Sequence, residues 1–132
     1  SDVCSSDLSC DVVLLGGMLR KAHRYTTGPL ALSALASLHA RKAFLCPGAY
    51  VGGRGFMTDY QSMAELKRAM LSAADERYCL LDASKVGAAG LIRFADVTDF
   101  DAIIMDSDPD AAMASALEGT GVSLTLARAS RP

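Results

Sequence analysis

A carboxylate, a hydroxyl and an ammonium fall within four residues at Asp82-Ala83-Ser84-Lys85. This set suits a small molecule that carries both phosphate and hydroxyls. Lysine offers a compact positive charge to phosphate, and aspartate accepts hydrogen bonds from sugar hydroxyls. The same four residues also make an ordinary turn, in which Asp82 and Ser84 satisfy backbone groups and Lys85 points to water. Spacing alone leaves both readings open. A second cation, Lys67, sits at the edge of an apolar stripe of Met63, Leu66 and Met70, where the helical period brings it to the border of a cleft or of solvent. Gly16-Gly17 and Pro47-Gly48 each follow an apolar run and serve equally as plain turns or as places where backbone approaches a ligand closely. Thr26-Thr27-Gly28-Pro29 opens a helix, whose free amides attract anions as at any helix start. Neither a G-x-G-x-x-G fingerprint nor a P-loop is present. His23 stands in a loop with Arg20, Lys21 and Arg24, and His39 at a helix end. Neither is part of a Ser/His/Asp or Cys/His arrangement, so no catalytic residue is expected.

The elements that position these residues belong to a chain of 132 residues, one domain's worth. Hydrophobic residues make up 51% and charged residues 21%, too apolar for a disordered chain. Thirteen basic against fifteen acidic side chains give a net charge of −2, without the basic field of a nucleic-acid binder. The charges are unevenly placed. From Phe94 to Ala127 there are seven acidic residues and no Lys or Arg, so the positive middle of the chain favours a small anion or is simply an uneven solvated surface. The most apolar stretch, Gly28 to Leu38, is about half a bilayer span, and there is no signal-peptide pattern. The four cysteines, Cys4, Cys10, Cys46 and Cys79, form no Cys-x-x-Cys pair and there are two histidines, so neither a zinc site nor another metal site is expected. Cys46 and Cys79 read as small core hydrophobes in a reduced, cytoplasmic protein. No cofactor is implied.

Short apolar runs alternate with amphipathic ones. Strands are expected at Val12–Leu15, Ala43–Cys46, Tyr78–Leu81, Leu91–Phe94, Ala102–Met105 and Val122–Leu126. Helices are expected over Pro29–His39, Thr58–Asp75 with Thr58 as its cap, and about Asp110–Glu118 with Gly119 as its stop. Gly48 to Gly55 holds four glycines in eight residues and reads as a loop. The pattern is α/β, a mostly parallel sheet with helices on both faces. Ligands of such sheets bind beyond the carboxyl ends of the strands, which is where Gly16-Gly17, Pro47-Gly48, Asp82 to Lys85 and Asp106 are expected to gather. Residues 1–10 are Ser/Asp-rich without periodicity and read as a non-native or disordered leader, ahead of a partial domain over residues 11–132.

In order, these motifs resemble the C-terminal effector-sensing domain of the DeoR family of bacterial transcriptional regulators. The matching pieces are Val13-Leu14-Leu15-Gly16-Gly17-Met18-Leu19-Arg20, Gly28-Pro29, Lys42-Ala43-Phe44-Leu45, Gly55-Phe56-Met57-Thr58, Glu65-Leu66-Lys67-Arg68-Ala69-Met70, Leu81-Asp82-Ala83-Ser84-Lys85 and Ile103-Ile104-Met105-Asp106. The likeness covers about residues 11–127. It implies a fold similar to ribose-5-phosphate isomerases and coenzyme A transferases, incomplete at its N-terminus. It also implies binding of a phosphorylated sugar or related metabolite, a homo-oligomer, and contact with DNA only through a helix-turn-helix domain that precedes this segment. Gly16, Gly17, Gly48, Lys67, Asp82, Ser84 and Lys85 are the ligand-binding candidates, with no catalytic residue among them. Cys46-Pro47-Gly48 and Val86 depart from the family's usual residues, so effector identity is not carried over. A sugar-phosphate isomerase is the alternative, since those enzymes have a similar Asp-x-Ser-Lys stretch. Aligned on it, however, their base-carrying Glu falls at Lys67, and a protonated lysine is no general base.

Overall fold

The computed structural model describes residues 9–127. Of the leader expected over residues 1–10, only Ser9 and Cys10 lie within that range. Residues 11–16 have no regular structure, and Val13 and Leu14 are 81% and 78% exposed. The strand expected at Val12–Leu15 does not form, because no strand among the described residues pairs with it. The Leu15 carbonyl is held instead by the Thr26 hydroxyl at 2.9 Å. Gly16-Gly17 therefore does not end a strand. It leads into β1 (Met18–Arg20), which pairs antiparallel with β2 (Tyr25–Thr27). At Gly17 a side chain would lie 2.7 Å from the Thr27 carbonyl, so this glycine serves close packing of backbone on backbone.

Helix α1 (Pro29–Ala36) starts with proline in the first turn, where its missing N–H costs nothing. It ends at Ser37, short of the expected His39. Then follow β3 (Ala40–Leu45), β4 (Ala49–Val51), β5 (Gly55–Thr58), α2 (Gln61–Ala73) and β6 (Ala74–Leu81). The chain continues through β7 (Ile92–Ala95), β8 (Ala102–Met105), α3 (Ala112–Leu117) and β9 (Ser123–Leu126).

The main sheet has the order β3-β6-β8-β9 and is parallel throughout, with Leu45, Cys79, Ile103 and Leu124 in one row. Each new strand is added on the same side of the last. Right-handed crossovers then carry both α2 and α3 over one face. That face buries Ala43, Leu45, Cys79, Leu81, Ile103 and Met105 against Ala64 and Leu71 of α2 and Met113 and Leu117 of α3. The α/β parallel sheet is as expected; of the two helical layers foreseen, the described residues supply one. On the opposite face Phe44 and Leu80 are 52% and 38% exposed, and the Phe44 ring stacks on Tyr78 at 5.2 Å. No helix among the described residues is long and apolar enough to cross a membrane.

The glycine-rich stretch is not a loop. It is the β4–β5 hairpin of a second, antiparallel sheet of order β4-β5-β7. Gly55 has φ +107° and lies where a side chain would meet the Ala95 carbonyl at 2.5 Å. Thr58 is not a helix cap either. It pairs with Ile92 at the end of β5 and is buried, so α2 begins only after Tyr60. Helix α3 is shorter than expected because Pro109–Ala111 forms a separate turn. The Asp108 carboxylate accepts from the Met113 and Ala114 amides at 2.8 and 2.9 Å, satisfying donors that a helix start leaves free.

Helix α2 has two buried sides. Leu66 packs with Ala31 and Leu35 of α1, with Met63, Ala69, Met70 and Ala73 around them. Ala64 and Leu71 face the sheet. Lys67 stands between these last two by helical spacing, so it belongs to the sheet-facing side.

The cysteines part company. Cys79, in mid-strand, is fully buried, whereas Cys46 is the first residue past β3 and is exposed, contrary to its expected place in the core. Burial pushes the Cys79 thiol up to about 12. In the unfolded chain a thiol ionises near about 8.5. The folded state thus holds a proton that the unfolded state releases. The stability this represents is complete below about 8.5 and is lost as pH rises toward 12. At pH 8 a thiol reagent is expected to label Cys10 and Cys46 in the native protein, and Cys79 only on unfolding. Equal labelling rates for Cys46 and Cys79 would contradict this packing.

Candidate functional site

The carboxyl ends of β3 and β6 open on the same edge of the main sheet. Beyond β3 runs Cys46-Pro47-Gly48, and beyond β6 the turn from Asp82 to Lys85. The end of β5 adds Asp59 and Tyr60, and α2 adds Met63 and Lys67. These segments enclose a depression of about 270 Å³, lined among others by Gly48, Asp59, Met63, Lys67 and Lys85. His23 and Tyr25 from the β1–β2 hairpin and Tyr60 close one side of it.

Lys67 is the best-held cation of the site. Its ammonium donates to the Cys46 carbonyl and lies 5.1 Å from the centre of the Phe94 ring, within the range of a cation–π contact. Burial lowers its pKa from the ordinary lysine value, as expected where a charged form loses water. A depression with two lysines, one carboxylate and aromatic side chains offers charge to an anion and an acceptor to hydroxyls. This is the usual make-up of a small-molecule site, a largely apolar lining with a few converging polar groups.

The candidates read from the sequence are distributed as follows. Gly48, Lys67 and Lys85 line the depression. Asp82 and Ser84, candidates in the same turn as Lys85, are not among the lining residues and are engaged with each other: the Ser84 hydroxyl and amide donate to the Asp82 carboxylate at 2.8 and 3.2 Å. Those bonds hold the Asp82 carboxyl below the usual carboxylate range. Asp106, past β8, accepts from the Ala83 amide at 2.8 Å and so braces the same turn from the neighbouring strand. Gly16 and Gly17 are not among the lining residues, nor is the start of α1 at Gly28-Pro29. Of the two histidines, His39 pairs with Asp75 at 2.8 Å on the exposed surface, and His23 faces the site.

Asp59, Tyr60, Tyr25 and His23 were not legible as ligand candidates. Each lies in a short connection or an edge strand with no pattern of its own. The only hint was their neighbourhood, since Asp59 and Tyr60 directly precede the helix that carries Lys67.

The family model described as "DeoR C terminal sensor domain" matches residues 2–107. The HTH-type transcriptional repressor GlcR of Bacillus subtilis is 31% identical over 126 residues, covering 96% of this chain and 48% of the repressor. The lactose phosphotransferase system repressor of Streptococcus mutans is 31% identical over 99 residues, 75% of this chain and 39% of that protein. The HTH-type transcriptional regulator GlpR of Haloferax volcanii is 29% identical over 114 residues, 86% and 45% of the two chains. The chain thus spans about half the length of the curated relatives it matches. With a parallel α/β sheet, the Leu81 to Lys85 turn at its carboxyl edge and a family match over most of its length, the chain belongs to the DeoR C-terminal sensor domain family.

Proposed function

We propose that this chain is the effector-binding part of a bacterial, cytoplasmic, DeoR-type transcriptional repressor, and that its effector is a phosphorylated sugar bound without being transformed. The phosphate sits between Lys67 and Lys85, with the Gly48 turn admitting it close to the backbone. Operator binding belongs to a helix-turn-helix part outside these 132 residues, and the working regulator is a homo-oligomer. One observation carries the reading: two lysines distant in sequence, one on α2 and one past β6, line a single depression at the carboxyl edge of the sheet. The names of the relatives support it, since two of them are a repressor of a lactose phosphotransferase system and a repressor called GlcR. Asp82, Ser84 and Asp106 act as the brace that holds Lys85 at the rim.

The test is a Lys85→Ala change in the intact regulator. A charge-assisted contact to phosphate is worth about 1.5–3 kcal/mol, so the sugar-phosphate concentration for half-response should rise roughly ten- to a hundredfold while operator affinity without effector stays put. An unchanged response removes Lys85 from the site. Turnover of a pentose or hexose phosphate, lost on Lys67→Ala, would replace the sensor reading with the enzyme one.

A further inference from the structure

We propose that the sugar ring of the effector lies against a wall formed by His23, Tyr25 and Tyr60, so that the β1–β2 hairpin is one half of the binding site. The inference rests on the phosphorylated-sugar reading above and names what recognises the part of the ligand that is not phosphate.

The hairpin tip, residues 21–24, is closed by the His23 and Arg24 amides donating to the Arg20 carbonyl at 3.3 and 2.8 Å. Arg24 takes φ +54°, a left-handed conformation that a non-glycine residue adopts only where its surroundings demand it. The tight turn brings His23 back over its own hairpin, where its ring stacks on Tyr25 at 6.0 Å with an interplanar angle of 16°. The same imidazole meets Tyr60 at 5.9 Å and 50°. Tyr60 comes from the start of α2, far away in sequence. The three rings therefore bridge the hairpin to the helix that carries Lys67.

This wall separates two depressions. All three rings line the depression of Lys67 and Lys85, and all three also line a neighbouring one of about 370 Å³ that contains Arg20 and Lys21. On the lysine side, the lining carboxylate is Asp59, next to Tyr60 in sequence. A sugar phosphate presents three kinds of surface: a charged ester, hydroxyls, and the apolar C–H face of its ring. The depression answers each in turn with the lysines, with Asp59 and with the aromatic wall. Inorganic phosphate uses only the first.

The experiment compares ligands that share the ester and differ in the ring. The full-length protein is titrated by calorimetry with a panel of hexose and pentose monophosphates, and the tightest is carried forward beside glycerol 3-phosphate, which has the ester and hydroxyls but no ring. His23→Ala and Tyr60→Ala are each expected to weaken the sugar phosphate about tenfold and to move glycerol 3-phosphate, whatever its own strength, by less than twofold. Tyr60→Phe keeps the ring and should stay within about threefold of the parent for both. Lys85→Ala should weaken both ligands alike. The wall is overturned if the Ala variants leave the sugar phosphate unchanged, or if they weaken both ligands equally. If no member of the panel binds the parent protein, the phosphorylated-sugar reading itself falls and takes the wall with it.

Discussion

Replacing Lys67 with methionine is expected to cost at least tenfold in affinity for a phosphorylated sugar while changing the folding stability by no more than about 1 kcal/mol. Methionine keeps the length and apolar stem of the side chain, which cover part of the sheet-facing side of α2. What disappears is the ammonium, with its bond to the Cys46 carbonyl and its contact with the Phe94 ring. An ammonium with no carboxylate paired to it among the described residues is costly in that half-buried place, and burial already lowers its pKa. Loss of the charge therefore offsets much of the loss of the two contacts. A bound phosphate changes the balance, because it adds a negative charge to the neutral carbonyl and ring that hold the ammonium. The same reasoning sets the direction with pH. Since the folded-state pKa of Lys67 is depressed, its proton leaves at lower pH than that of a solvated lysine, and affinity for the anion falls as pH rises through that range. In Lys67→Met the alkaline fall should be weaker. Calorimetric titration across pH, beside thermal melting, checks both parts; full affinity in Lys67→Met would move the phosphate elsewhere.

Phe56→Ala is expected to remove about 3–5 kcal/mol of stability, a large fraction of the 5–15 kcal/mol typical of a domain. Phe56 is 0% exposed. Its ring meets Phe100 edge-on at 5.2 Å and Tyr50 at 5.1 Å. It sits in β5, the middle strand of the small antiparallel sheet, yet belongs to the core that also contains Leu45, Cys79 and Ile103 of the large one. Truncation there opens a cavity where the two sheets meet, and both must shift to fill it. Phe56→Leu, which keeps most of the volume, should cost far less. Denaturant unfolding measures the difference through the midpoint at constant slope. A loss below about 1 kcal/mol for Phe56→Ala would mean that the sheets are held together elsewhere.

The strands of the parallel sheet were legible because a strand buried in a sheet of this kind is a bare apolar run. Ala102–Met105 was placed to the residue, and the runs ending at Leu81 and Leu126 were found with their last residues right. The same rule misled at Val12–Leu15, where local apolarity is satisfied but pairing is a property of the neighbours. It failed in the other direction at β1 and β2. These are three residues each, β1 wholly exposed and β2 made of a tyrosine and two threonines, so they carry no periodic signal. The β4–β5 hairpin was hidden by its glycines, which mark a tight turn and close backbone approach as readily as a loop. For α2 the stripe of Met63, Leu66 and Met70 was real, but it described one of two buried sides. A helix pressed between a sheet and another helix has its second contact at small residues such as Ala64, which hydrophobicity underrates. That is why Lys67 was assigned to a border when it stands in the second contact. Lys85 and Gly48 were within reach of sequence reasoning because they come shortly after apolar strands, and Lys67 because it lies on the most clearly periodic helix. The aromatic wall was not, since it is made only when a hairpin turn folds back onto the start of a distant helix.

The two-sided grip on α2 has a mechanical corollary. A helix is stiff along its axis, so a pull on the Lys67 ammonium displaces the whole rod rather than one turn of it. The rod has a seam on each side, one lined by Ala64 and Leu71 against the strands, the other by Leu66 against Ala31 and Leu35. Any travel of α2 must be taken up by slippage at one of them, and the seam with α1 is the one where a partner helix, rather than a hydrogen-bonded sheet, has to yield.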